Sequence, residues 1–257
     1  MTTYTRWIGE SCNYVIRLIV RGLALSRIHP NVLTFIGLLI NVGAAVLLAF
    51  GRFRAAGLVI IGAGIFDMVD GRVARETKQV TRFGGFFDSV LDRYSDLGLL
   101  MGLLVYYASI NRNFYVVLTA IVMTASVMIS YTRSRAENTI PRCKVGFMER
   151  PERIVLFMIG AFTNRMAGVL WVILSLSVLT VANRIYYTYL ALNNLPMPTH
   201  AGVRGAFNRA FFWTDERTTI PYDMWVIAIL AFVWLTPPDW LGDPMAQGMG
   251  LLGFLFK

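Results

Sequence analysis

FDMVDGRVARETKQVTRFGGFFDSVLDRYSD, residues Phe66 to Asp96, sets five aspartates between two apolar runs. Asp67 and Asp70 are three apart and close the first run; Asp88, Asp92 and Asp96 are four apart and open the second. On helices each set therefore shares a face. The connection between them is short and carries Gly84 and Gly85, which predicts that the two helices are neighbours. Four or five carboxylates then converge, and mutual repulsion with partial desolvation disfavours their charged forms unless a cation is supplied. Hard oxygen donors with no cysteine or histidine nearby suit Mg2+ or Mn2+ and argue against zinc or copper. Gly71 lies four residues after Asp67 and Ala74 four after Asp70, so no bulky side chain follows either carboxylate one turn on. A large group can approach the backbone there, and Arg75 adds a bidentate donor suited to phosphate. A solvated helix end paired with Arg72, Arg75, Arg82 and Arg93 is the plainer alternative. It is disfavoured because a charge in a membrane helix costs ~2.5–3.5 kcal/mol at the centre, less near the surface, and so marks function.

The surrounding chain is the membrane context that argument needs. Of 257 residues 56% are hydrophobic and only 15% charged, and the mean hydropathy is +0.57, too apolar for a soluble domain of this size. Asn31–Phe50 is about as long as a bilayer core requires, roughly 20 residues at 1.5 Å each. Further apolar runs follow at Ala55–Val69, Phe86–Ser109, Phe114–Tyr131, Ile154–Phe162 and Met166–Tyr189. Lipid leaves no unpaired backbone amides, and the alternating pattern of a barrel is missing, so the expectation is an all-α polytopic protein with six transmembrane helices.

Basic residues crowd the second connection (Arg72, Arg75, Lys78, Arg82) and the fourth (Arg133, Arg135, Arg142, Lys144, Arg150, Arg153). The positive-inside rule then puts those loops, both ends of the six-helix unit and the aspartates on the cytoplasmic side of the cell membrane. Cys12 and Cys143 fall on the same side, where thiols stay reduced. Arg17 and Arg21 share a face of Tyr14–Leu25 against Ile16, Ile19, Val20 and Leu23, which reads as an N-terminal interfacial helix on anionic headgroups and not as a cleavable signal peptide. The division is thus 1–30, interfacial helix; 31–190, six-helix domain; 191–257, an extension. In the extension Asn193–Thr219 is polar and basic, and Met224–Thr236 is apolar but only 13 residues long, more like an interfacial or re-entrant piece than a span.

Written out, Asp67-x-x-Asp70-Gly71-x-x-Ala74-Arg75, eight residues, Gly84-x-x-x-Asp88-x-x-x-Asp92 resembles the full signature of the CDP-alcohol phosphotransferases. The resemblance runs from about Pro30 to Tyr189 and includes a Pro30-Asn31-x-x-Thr34 box. It implies that Asp67, Asp70 and Asp88 bind metal and that Asp92 is the base. It further implies that Asn31, Thr34, Gly71, Ala74, Arg75 and Gly84, with Asp67 and Asp70, receive the CDP part of CDP-diacylglycerol. Asp96 lies outside the signature. A homodimer is implied by the resemblance alone, and membrane lipids, not nucleic acid, are the expected surroundings.

Ser130–Arg153, SYTRSRAENTIPRCKVGFMERPER, is similar to the matching part of the bacterial phosphatidylinositol phosphate synthases. That likeness implies a bacterial source and an acceptor phosphate held near Ser130 by Arg133, Arg153 and Arg184. Lysine is usual where this chain has Arg133, which keeps the charge and changes the geometry. The reaction implied is transfer of a phosphatidyl group to a phosphorylated polyol, inositol 1-phosphate, releasing CMP. Glycerol 3-phosphate, giving phosphatidylglycerol phosphate, is the nearest rival acceptor. An ion or proton transporter is the rival from another class, but its acids would sit near the midplane on broken helices in matching halves.

Overall fold

The computed structural model describes residues 29–196 and 220–244, with Gly205 and Asn208 between them. Among the described residues every regular element is helical: α1 Pro30–Ala49, α2 Phe53–Glu76, α3 Arg82–Ser109, α4 Asn113–Glu137, α5 Arg150–Thr163, α6 Met166–Leu192, α7 Ile220–Leu235 and the single turn α8 Pro238–Leu241. Three of them, α1, α4 and α6, are long and apolar enough to cross a membrane, and α7 is a shorter apolar helix. The expected interfacial helix and Cys12 lie outside the described residues.

Several helices outrun the apolar stretches that foretold them. The second continues from Val69 to Glu76, the fourth from Tyr131 to Glu137, and the fifth begins at Arg150, four residues before Ile154. Apolarity marks contact with lipid, whereas Arg, Glu and Ala are themselves good helix formers, so the helices run on into polar surroundings. What ends α2 is the left-handed Lys78, at φ 56°.

The residues fall into two compact units, one holding everything up to Val116 with Ala161–Asn164, the other Val117–Gly160 and the chain from Arg165 onward. In the first, α1 lies against both α2 and α3. Its approach to α3 is close because Gly102 faces Ala45: a Cβ there would sit 2.2 Å from the Ala45 carbonyl oxygen. Leu33, Val69 and Val73 form the buried seam with α2, with Ile65 and Phe66 packed against it. In the second unit Ala136, Ile140, Cys143 and Val145 are buried together under Tyr187 and Ala191, tying the loop after α4 to α6. Cys143 is a buried free thiol, and its burial pushes its pKa up.

Candidate active site

The acidic site is built by α1, α2 and α3. His29 caps α1 by accepting from the Asn31 amide at 3.2 Å, with Pro30 in the first turn where its missing N–H costs nothing. Thr81 caps α3 in the same manner, its hydroxyl accepting from Gly84 N at 2.9 Å. The two starts meet, since a Cβ on Gly84 would lie 3.2 Å from Asn31 Oδ1 and 3.0 Å from Thr81 Oγ1. The Pro30-Asn31-x-x-Thr34 box and the Gly84 end of the signature are thus one piece of structure.

Asp67 turns toward α1: a Cβ on buried Gly37 would be 3.2 Å from its Oδ1. Gly37 therefore leaves room for that carboxylate, a role no motif announced. Asp70 is 5% exposed and its Oδ2 has no hydrogen-bond partner. It stands one residue past the apolar run ending at Val69. Thr34 hydrogen-bonds its carboxylate, and the negative charges of Asp88 and Asp67 act on it. The Thr34 hydroxyl has the Pro30 carbonyl oxygen, at 3.2 Å, and the Asp70 carboxylate as alternative acceptors.

Asp67, Asp88 and Asp92 are partly exposed, whereas Asp96, outside the signature, is buried. Arg93 does not face this cluster as a counter-charge: its guanidinium folds back on its own helix to the Ser89 carbonyl and hydroxyl, the latter at 2.7 Å. Arg75 is exposed, and its Nη1 lies 3.7 Å from where a Gly71 Cβ would be, so glycine and guanidinium share one open face of α2.

The donor set fits a hard divalent cation, since it is all carboxylate and includes a buried oxygen atom with no partner. Among the described residues no three His, Cys, Asp or Glu side chains are already drawn together closely enough to hold one.

Arg133 and Arg184 meet in the second unit, at Glu149. Arg184, 1% exposed, donates Nε to the Val145 carbonyl at 3.0 Å and Nη1 to that of Ile129, and its Nη2 lies 3.7 Å from Glu149. Arg133 donates to Glu137 and to Glu149, both at 3.1 Å. Glu149 thus joins Arg133 to Arg184, a partnership the sequence reading missed although Arg133 and Glu137 have the ordinary i,i+4 spacing. Arg184 is first of all the pin that fastens α4 and the following loop to α6. The same loop is held again at Gly146, φ 94°, where a Cβ would fall 2.4 Å from Thr180 Cγ2, and by the Met148 amide donating to Thr180 Oγ1 at 3.1 Å. Arg153, 3% exposed, follows one turn after Glu149 and donates its own amide to the Glu149 carbonyl at 3.3 Å. Ser130 is partly exposed on α4, next to Ile129. The aspartate set lies in one unit and the arginine set in the other.

The profile of the family described as CDP-alcohol phosphatidyltransferase matches residues 27–192. This chain belongs to the CDP-alcohol phosphatidyltransferase family. Within that family it is 35% identical over 179 residues to the phosphatidylinositol phosphate synthase of Mycobacterium tuberculosis strain H37Rv, covering 65% of this chain and 82% of that protein. The crystal structure of the M. tuberculosis synthase with CDP-DAG bound is similar at a TM-score of 0.64 and 31% identity, covering 68% of this chain and 94% of that one. Its complex with manganese and citrate is similar at 0.62 and 31%, covering 74% and 97%. As a member of this phosphatidyltransferase family the chain is an enzyme of phospholipid synthesis.

Proposed function

We propose that this chain transfers the phosphatidyl group of CDP-diacylglycerol to inositol 1-phosphate, giving phosphatidylinositol phosphate and CMP. The observation that carries the acceptor is the meeting of Arg133 and Arg184 at Glu149, with buried Arg153 one turn further along the chain: basic groups of this kind suit a phosphate dianion. The names of the mycobacterial relatives support the same acceptor.

Asn31, Thr34, Gly71, Ala74, Arg75 and Gly84 receive the CDP group, the glycines and alanine by keeping the face open and Arg75 by pairing with phosphate. Asp67, Asp70 and Asp88 hold Mg2+ or Mn2+, which when bound supplies charge neutralisation on the diphosphate. Asp92 takes the proton of the attacking hydroxyl. The acceptor oxygen bonds to the lipid-side phosphorus as its bond to the CMP oxygen breaks, and CMP leaves with the electron pair. Ser130, Arg133, Arg153 and Arg184 orient the acceptor through its phosphate. In the membrane all six helices α1 to α6 span, and the site faces the cytoplasm of a bacterial cell.

The test is CMP release by the purified full chain with CDP-diacylglycerol and Mg2+, against inositol, inositol 1-phosphate, glycerol 3-phosphate and serine. Turnover is expected with inositol 1-phosphate and little with free inositol. Preference for glycerol 3-phosphate would replace the acceptor, and equal rates with inositol and its phosphate would remove the phosphate-reading role of the arginines. The working unit is a homodimer, so mass measurement in nanodiscs should return twice the chain mass; a fully active monomer would refute it.

A further inference from the structure

The helix α7 stands outside the family-matched residues 27–192, yet both of its ends are fastened into the second unit. At its start Tyr222 donates its hydroxyl to Glu152 Oε1 at 3.1 Å, and its ring packs on Phe147 with centroids 5.7 Å apart and planes inclined at 49°. At its far end Arg165 Nη1 donates to the Thr236 and Val233 carbonyls, at 2.9 and 3.4 Å. Those carbonyls are among the ones a helix C-terminus leaves without an intrahelical partner. Val233 is 2% exposed, and its Cα would be 4.0 Å from a Cβ on Gly168, which lets α7 lie close on α6.

Glu152 stands in the first turn of α5 and Arg165 just beyond its last, so the two fastenings of α7 lie ~16 Å apart along it, from Tyr222 to Val233 at 1.5 Å per residue. The helix α7 is therefore fastened at both ends. The end that matters chemically grips the segment Phe147–Arg153. Phe147 and Glu152, 7% and 8% exposed, flank Glu149, the carboxylate between Arg133 and Arg184, and Glu152 directly precedes Arg153. Tyr222 holds one by its ring and the other by its hydroxyl, on either side of the carboxylate that sets the arginine cluster.

We infer that Tyr222, on a helix outside the family domain, is a positioning residue for acceptor binding: it fixes Phe147 and Glu152 so that Glu149 and Arg153 keep their place among the arginines. The inference rests on the reading that those arginines take the acceptor phosphate. A tyrosine suits this because its rigid ring and single hydroxyl fix two contacts at low cost in rotamer freedom.

The experiment uses the full chain in nanodiscs, with Tyr222→Phe, Glu152→Ala and the double variant, varying inositol 1-phosphate and CDP-diacylglycerol in turn. Tyr222→Phe keeps the ring on Phe147 and removes only the hydroxyl. It is expected to raise the acceptor KM by about tenfold while the CDP-diacylglycerol KM and the melting temperature stay at wild-type values. In the Glu152→Ala background the same change should add less than about twofold, since the bond it breaks is already gone. Wild-type acceptor KM in Tyr222→Phe, an equal rise in both KM values with a lower melting temperature, or full additivity in the double variant would each overturn the inference. Failure of the underlying reading is seen separately, in the wild-type protein, as turnover indifferent to the acceptor's phosphate.

Discussion

Asp92→Asn should lower kcat by about 10²–10⁴-fold, the usual worth of a positioned general base, while leaving CDP-diacylglycerol affinity and divalent-metal affinity close to wild type. Asp92 lies one turn after Asp88 on the same face of α3 and stays partly exposed, where an acceptor hydroxyl can reach it. Asp70, by contrast, is 5% exposed with an oxygen atom that has no hydrogen-bond partner, which suits the proposed ligand role. Phosphoryl transfer gains most from positioning and charge neutralisation, so removing a ligand should abolish binding of nucleotide and metal together, whereas removing the base should slow a complex that still forms. The check is a pair of titrations by calorimetry, Asp92→Asn beside Asp67→Asn, each followed by single-turnover CMP release. Loss of nucleotide and metal binding in Asp92→Asn as complete as in Asp67→Asn would make Asp92 a ligand and leave the base unassigned.

The acidic half was legible because its information is local. Spacings of three and four place Asp67 with Asp70 and Asp88 with Asp92 on helix faces whatever the rest of the chain does. The caps that bring these faces together, Thr81 to Gly84 and His29 to Asn31, also act over two or three residues. Gly37 and Gly102 were not legible, since what makes a Cβ impossible at Gly102 is the Ala45 carbonyl of another helix, and no pattern along one helix reveals it. The arginines show the opposite failure. Their charge pointed to phosphate, but that Glu149 joins Arg133 to Arg184, and that Arg184 is occupied by the Ile129 and Val145 carbonyls, depends on contacts between residues 16 to 55 apart in the chain. Tyr222 was more distant still, since a polar stretch separates it from the motifs and its helix is too short to read as a span from composition alone.

Arg153→Ala should cut kcat/KM for inositol 1-phosphate by about 10- to 150-fold, the equivalent of the ~1.5–3 kcal/mol that a hydrogen bond to a charged group contributes. The CDP-diacylglycerol KM should barely change, because the nucleotide is assigned to the aspartate and glycine motif of the other unit. Arg153 is the arginine to test because Arg184 also fastens the loop to α4 and α6, so Arg184→Ala would leave the buried Val145 carbonyl without its donor and confound stability with binding. Arg133, with a side chain 40% exposed and already bonded to Glu137 and Glu149, should tolerate more. Arg133→Lys should cost less than Arg153→Ala, since lysine keeps the charge and loses only the fork that reaches both carboxylates. Discrimination against free inositol should shrink in Arg153→Ala by the same factor as the loss on inositol 1-phosphate, since without the guanidinium the phosphate contributes less to binding. Parallel rate measurements with both acceptors decide it: a variant that loses equally on both has lost structure, and one with wild-type kinetics on inositol 1-phosphate would take Arg153 out of the acceptor site.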